Sequence, residues 1–170
     1  MIILAIDQSL CSTGYAVLEY ETDKKYRYTW GRIKTSKEDG EILERMNIII
    51  GQLARVASEK EVDYIVLERP IVRNGMKTAQ DLAGLYYVIA SKLMRMGFSI
   101  TTVVNTTWKK GAGITGKDRK EQKESSMRRA YELLGHNFEE LKEWKIIKSD
   151  DEADAICMAW YWAKEVKKNG

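Results

Sequence analysis

The sequence predicts an α/β fold: a mixed five-stranded sheet, three antiparallel strands and then parallel ones, with helices on both faces. Three observations carry this expectation. The N-terminal stretch up to Ile33 holds three runs of strand character joined by short polar turns, the pattern of an antiparallel meander. Beyond it the apolar period lengthens from about two to about 3.6 residues, and helix-like and strand-like stretches alternate, which calls for parallel strands covered by helices. Two of the strands that read as buried end in a carboxylate, and ligands of open α/β sheets bind at such carboxyl ends.

Ile2 to Asp7 is a continuous apolar run and reads as a buried strand. Thr13 to Glu19 alternates well enough for a second strand. Glu21-Thr22-Asp23-Lys24-Lys25 reads as a hairpin turn, and Tyr26 to Ile33, rich in aromatics, as the third strand. Ile42, Met46, Ile49, Ile50, Leu53 and Val56 then mark one face of a long helix, followed by an apolar strand from Val62 to Glu68. Ala79 to Met96 reads as the next helix, broken by Gly97 before a strand from Ser99 to Val104. A basic, glycine-containing loop leads to a helix near Arg119 to Leu134, and Asp150 to Lys167 is the last helix.

With 170 residues, 44% hydrophobic side chains and one proline, the chain is sized for one domain spanning residues 1–170. No apolar run is long enough for a membrane span. Met1-Ile2-Ile3 enters a strand with no basic leader, and Cys11 and Cys157 lack metal-ligand spacing; a cytoplasmic protein with reduced thiols is expected. Net charge is +3, but Lys109 to Arg129 holds eight basic and three acidic residues. A local basic patch of this kind suits a nucleic-acid backbone, whereas the bland alternative is a solvated helix face with i,i+4 charge pairs.

Four acids stand out: Asp7, Glu68, Asp151 and Asp154. A buried strand gains nothing from ending in Asp7 or Glu68 unless several carboxylates converge on a cation. Alone, Asp7 fits a turn cap and Glu68 a partner for Arg69 or Arg73. Asp150, Asp151 and Glu152 equally fit ordinary helix-start chemistry, with Ser149-x-x-Glu152 reading as a capping box. Asp154 does not. It lies past the first turn inside Ala153, Ala155, Ile156 and Cys157, and shares a helix face with Asp151 at i,i+3 spacing.

Phosphodiester hydrolysis needs a deprotonated water, a stabilised leaving oxygen and neutralised equatorial charge. Two Mg²⁺ ions about 4 Å apart supply all three, and Mn²⁺ substitutes at hard oxygen ligands. Without metal such a cluster repels itself and raises at least one carboxylate pKa.

The element order resembles the ribonuclease H-like fold. Asp7 followed by Thr13-Gly14, Glu68 closing the fourth strand, the Trp108-Lys109 to Lys120-x-Gln122 segment and Asp151-x-x-Asp154-Ala155 together resemble the RuvC family of Holliday-junction resolvases. The match runs in order along nearly the whole chain. It implies that Asp7, Glu68, Asp151 and Asp154 bind divalent metal for phosphodiester hydrolysis, assisted by Lys109 and Lys120. It also implies four-way junctions, with forks and flaps as further branched substrates. Arg69, Ile71, Arg73, Lys77, Lys110, Lys117, Arg119 and Lys123 are then the expected DNA contacts. The helix bearing Tyr86 and Tyr87 is apolar around much of its circumference and is expected to pair in a homodimer. Two departures stand out: Gln8-Ser9 where many members have Pro-Gly, and Arg69-Pro70-Ile71 where bacterial members carry an aromatic that stacks on bases. They resemble a phage-encoded branch with relaxed sequence demands.

Other readings compete. Gly111-Ala112-Gly113-Ile114-Thr115-Gly116-Lys117 fits seven positions of a P-loop, but Asp118 stands where a Ser or Thr is required. Asp7-x-Ser9 with Thr13-Gly14 resembles the first phosphate loop of actin-like and sugar-kinase-like proteins, which need a second lobe. A branched-DNA-binding module that does not cut is the third. His136 after Gly135 reads as a surface or capping residue, and Trp160 and Trp162 as core or interface.

Overall fold

The computed structural model describes residues 1–70 and 77–169. The elements run β1 (Ile2–Asp7), β2 (Ser12–Thr22), β3 (Lys25–Lys34), α1 (Ile42–Glu59), β4 (Tyr64–Glu68), α2 (Lys77–Arg95), β5 (Ser99–Val103), α3 (Asn105–Ala112), α4 (Arg119–Leu133), α5 (Phe138–Leu141) and α6 (Asp150–Asn169). The five strands form one sheet in the order β3-β2-β1-β4-β5. The three N-terminal strands pair antiparallel, while β4 joins β1 and β5 joins β4 in parallel.

Alternation along the strands sorts the core into two layers. Ile3 and Ala5 of β1, Ala16 and Leu18 of β2 and Val66 of β4 face one side, against Trp108, Tyr131, Ala155, Ile156 and Ala159. Leu4, Ile6, Val17, Ile65 and Leu67 face the other, against Ile49, Leu53, Leu85 and Ile89. So α1 and α2 cover one face and α3, α4 and α6 the other. The α6 layer is built from small residues: Ala5 pairs with Ala16 in the sheet, and Ala153, Ala155 and Ala159 are fully buried. Short side chains on both partners bring the helix close to the β1–β2 pair.

The parallel register Ile6↔Leu67 places Asp7 and Glu68 side by side at the carboxyl ends of β1 and β4. Beyond Asp7, the Thr13 hydroxyl donates to the Ser9 carbonyl at 2.6 Å and accepts from the Ser9 amide at 3.2 Å, closing the β1–β2 connection on itself. Gln8 Nε2 donates to the Glu68 carbonyl at 2.6 Å and ties the two strand ends together.

Besides the short α5, which the sequence pattern does not mark, one segment at the site differs from expectation. The stretch after β5 begins with a helix, α3, where the sequence reads as loop. Its residues Asn105-Thr106-Thr107-Trp108-Lys109-Lys110-Gly111-Ala112 mix β-branched threonines with a glycine, so propensity conceals it. Tertiary packing decides the matter, because Trp108 is fully buried and Gly111 lets the Tyr161 ring approach to 2.4 Å from where a Cβ would stand. The helix stops at Gly113, which takes the left-handed conformation at φ 82°.

Candidate active site

One cleft of about 810 Å³ opens at the carboxyl ends of β1 and β4, lined by Asp7, Glu68, Asp151 and Asp154 among others. Asp7 and Glu68 arrive on the two parallel strands, and Asp151 and Asp154 on the first turns of α6. Gly14, paired with Asp7 across β1 and β2, makes this possible. A Cβ at Gly14 would stand 2.2 Å from the Asp151 carbonyl oxygen, so only glycine lets α6 start there. The helix start is fixed further by Ser149, whose Oγ accepts the Glu152 amide at 3.2 Å, while the buried Glu152 carboxylate accepts the Lys148 amide at 2.5 Å. The reciprocal arm of the expected capping box thus reaches Lys148, the residue preceding the cap.

Each acid has a protein partner or a characteristic charge environment. Ser12 Oγ donates to Asp151 Oδ2 at 2.7 Å. Asn105 Nδ2 donates to both Glu68 oxygens at 2.9 and 3.1 Å, and Trp108 Nε1 donates to Glu68 Oε2 at 2.7 Å. Lys109 Nζ lies 3.3 Å from Asp154 Oδ2, with both side chains largely buried, and sits 5.3 Å above the Trp108 ring. Burial pushes Asp7 well above the ordinary carboxylate range, reinforced by Asp154, Glu68 and Asp151 and opposed by Lys109. Burial also raises Glu68 against the hydrogen bonds from Asn105 and Trp108, Asp151 against that from Ser12, and Asp154 against the Lys109 charge. A carboxylate cluster short of positive charge is the result.

As arranged, no three ligating side chains among the described residues form a ready-made cage for an ion. The donor set nevertheless suits a hard dication: four carboxylates share one cleft, and Asp154 Oδ1 is buried with no hydrogen-bond partner. The orphaned oxygen is an acceptor that no described protein group uses, and a cation would satisfy it.

Of the basic candidates, Lys109, Arg119 and Lys123 line the cleft, and Lys123 is ion-paired to Asp150 at its edge. Lys120 is exposed and is not among the residues lining the cleft; on α4 it is the neighbouring positions 119, 122 and 123 that face inward. Lys110 borders an adjoining 250 Å³ hollow with Lys109 and Gly113 to Gly116. Lys117 is exposed on that loop, and Arg69 lines a separate depression with Tyr86, Tyr87 and Thr102. Ile71, Arg73 and the Lys77 side chain lie outside the described residues. The glycine-rich segment is no phosphate cradle, since the Lys117 amide donates to Glu121 at 2.7 Å and Asp118 caps α4 by accepting the Glu121 amide at 2.9 Å.

Asn105 and the indole N–H of Trp108 were not legible as site residues, nor was Ser12. A signal existed: Asn-x-x-Trp-Lys at i, i+3 and i+4 puts all three side chains on one helix face, but only once the segment is known to be helical.

A mixed sheet with acids clustered at its switch point defines a protein of the ribonuclease H-like class. Comparison with known proteins narrows this. The family model for crossover junction endodeoxyribonuclease RuvC matches residues 3–161. The chain is similar to the RuvC of Rickettsia conorii, 29% identical over 94% of this chain and 95% of that protein. It is 28% identical to the RuvC of Thermosipho melanesiensis over 98% and 99% of the two chains. Among solved structures, Thermus thermophilus RuvC in complex with Holliday junction substrate superposes with a TM-score of 0.75 at 15% identity, covering 97% of this chain and 96% of that one. Fowlpox virus resolvase with substrate Holliday junction DNA gives 0.63 at 15% identity, covering 98% and 99%. The chain belongs to the RuvC family.

Proposed function

We propose that this protein is a structure-selective, divalent-metal-dependent endodeoxyribonuclease that resolves Holliday junctions by paired phosphodiester hydrolysis. The carrying observation is the convergence in one cleft of Asp7, Glu68, Asp151 and Asp154, four carboxylates that burial pushes above their ordinary range. Bound there, two Mg²⁺ ions, or Mn²⁺ in their place, would supply the charge for activating water and stabilising the leaving oxygen. Lys109, ion-paired to Asp154, would supply a cation to the charge that develops on the phosphate. Lys120, exposed one position off the cleft-facing row, contacts the phosphate only if the DNA or α4 brings it inward. Arg119 and Lys123 track the backbone at the cleft rim, with Arg69, Lys110 and Lys117 flanking it.

Family membership supports the substrate class, and relatives bearing the name crossover junction endodeoxyribonuclease span the same length. Residues 1–170 act as one nuclease domain, working in the cytoplasm; among the described residues no helix is long and apolar enough to cross a membrane. A homodimer gives two such clefts, one for each of two symmetric strands, and α2 leaves Tyr87, Val88 and Met94 exposed on its outer face.

The test is cleavage of labelled four-way junction, fork, flap and linear duplex in Mg²⁺, in Mn²⁺ and in chelator. Symmetric nicks in the junction that require metal are the expected result. Equal cutting of duplex would point to a general nuclease, and junction binding without cutting in either metal would point to a non-cleaving module.

A further inference from the structure

Resting on the proposed nuclease reading, we infer that Asn105 and Trp108 are positioning residues that fix Glu68 and present it to metal through a single oxygen, Oε1. A carboxylate offers about four lone-pair sites, two on each oxygen. Three are filled by protein: Oε2 accepts from both Trp108 Nε1 at 2.7 Å and Asn105 Nδ2 at 3.1 Å, and Oε1 accepts from Asn105 Nδ2 at 2.9 Å. The remaining site is on Oε1. Glu68 is therefore a one-oxygen ligand, held by two donors from successive turns of α3.

The donors are themselves rigid. The Trp108 ring is fully buried in the layer between the sheet and α6, and its indole N–H has no rotor of its own. Asn105 opens α3 directly after β5, whose parallel pairing Glu68↔Val103 fixes the distance between the helix start and the carboxylate. The same helix carries Lys109, ion-paired to Asp154. One face of α3 thus addresses two of the four acids, and shifting this helix moves the Glu68 and Asp154 environments together. Partners that orient a metal-binding carboxylate typically change metal affinity by about 10- to 100-fold when removed.

The experiment compares wild type, Trp108→Phe, which keeps a ring and removes the N–H, and Asn105→Ala. Mn²⁺ binding by the DNA-free protein is measured by calorimetry, alongside thermal unfolding, junction binding in chelator and single-turnover cleavage against Mn²⁺ concentration. Expected are Mn²⁺ affinities lowered by about tenfold or more in each variant. Junction affinity in chelator stays at the wild-type value, and cleavage is recovered substantially at high Mn²⁺, a split that simple loss of folded protein does not give. Asn105→Ala decides alone should the Phe variant unfold. Wild-type Mn²⁺ affinity in a folded Asn105→Ala protein would overturn the inference while leaving the nuclease reading intact. Tighter binding would overturn it as well, since the donors would then be holding Glu68 away from the ion. No Mn²⁺ binding by wild type would overturn both.

Discussion

Replacing Gly14 by alanine tests how the two halves of the acid cluster are brought together. The added Cβ would lie 2.2 Å from the Asp151 carbonyl oxygen, 2.3 Å from its carbon and 2.8 Å from the Glu152 nitrogen, all backbone atoms. Ordinary contact begins at 3.4 Å, so the start of α6 must retreat by about 1 Å. Asp151 rides on that turn and Asp154 on the next, whereas Asp7 and Glu68 stay with the sheet. A displacement of about 1 Å in a catalytic array costs on the order of a hundredfold in rate. Overpacking adds a stability loss of about 1–3 kcal/mol. At about 2–4 °C per kcal/mol for a chain of this size, the melting temperature falls by about 2–12 °C. Single-turnover junction cleavage measures the rate, and thermal unfolding the stability loss and the melting temperature. Gly51→Ala is the control: it lies in α1 with nothing within 4 Å of its would-be Cβ, and both cleavage and stability should hold or improve slightly. Cleavage by Gly14→Ala within about twofold of wild type would refute the claim that this glycine sets the active-site geometry.

Three other outcomes follow from the charges. The folded protein holds the protons of Asp7 and its neighbours more tightly than the unfolded chain, so this group's stability contribution is greatest below the ordinary carboxylate range and is lost as pH climbs through the raised values. In chelator, Asp7→Asn should therefore melt above wild type at neutral pH, and the advantage should vanish under acid, read by thermal unfolding across pH; a gain independent of pH would contradict this. Lys109 lowers the pKa of both Asp154 and Asp7, so Lys109→Met should move the acid limb of the cleavage pH–rate profile upward. An unmoved limb would place Lys109 outside the cluster's electrostatics. Arg119→Ala and Lys123→Ala, at the cleft rim, should each weaken junction binding and reduce the salt dependence by about one unit of slope, read from binding isotherms across salt concentrations.

Most of this architecture was legible because the core strands carry their own signatures. Ile2 to Asp7 and Tyr64 to Glu68 are unbroken apolar runs closed by a carboxylate, and Asp154 is an acid with no reason to sit in a buried helix turn unless it meets a cation. Boundaries drifted where edges are polar. The hairpin extends β2 to Thr22 and starts β3 at Lys25, because cross-strand pairing at an exposed tip needs no apolar pattern. Helix α3 escaped notice for the opposite reason: its burial rests on Trp108 and on the Gly111–Tyr161 contact, a tertiary match invisible in local propensity. The partners of Glu68 were hidden with it. Distinguishing Lys120 from Lys123 likewise needed the rotation of α4 about its axis, which its weakly patterned surface sequence does not specify.

The most direct test is Asp154→Asn, which removes a charge and keeps the volume. If the four acids hold the catalytic metal, the variant should bind a four-way junction in chelator at least as tightly as wild type, having lost one negative charge beside the phosphates, while cutting it more than about a hundredfold more slowly in Mg²⁺. Wild-type cleavage by a folded Asp154→Asn protein would contradict the four-carboxylate centre outright.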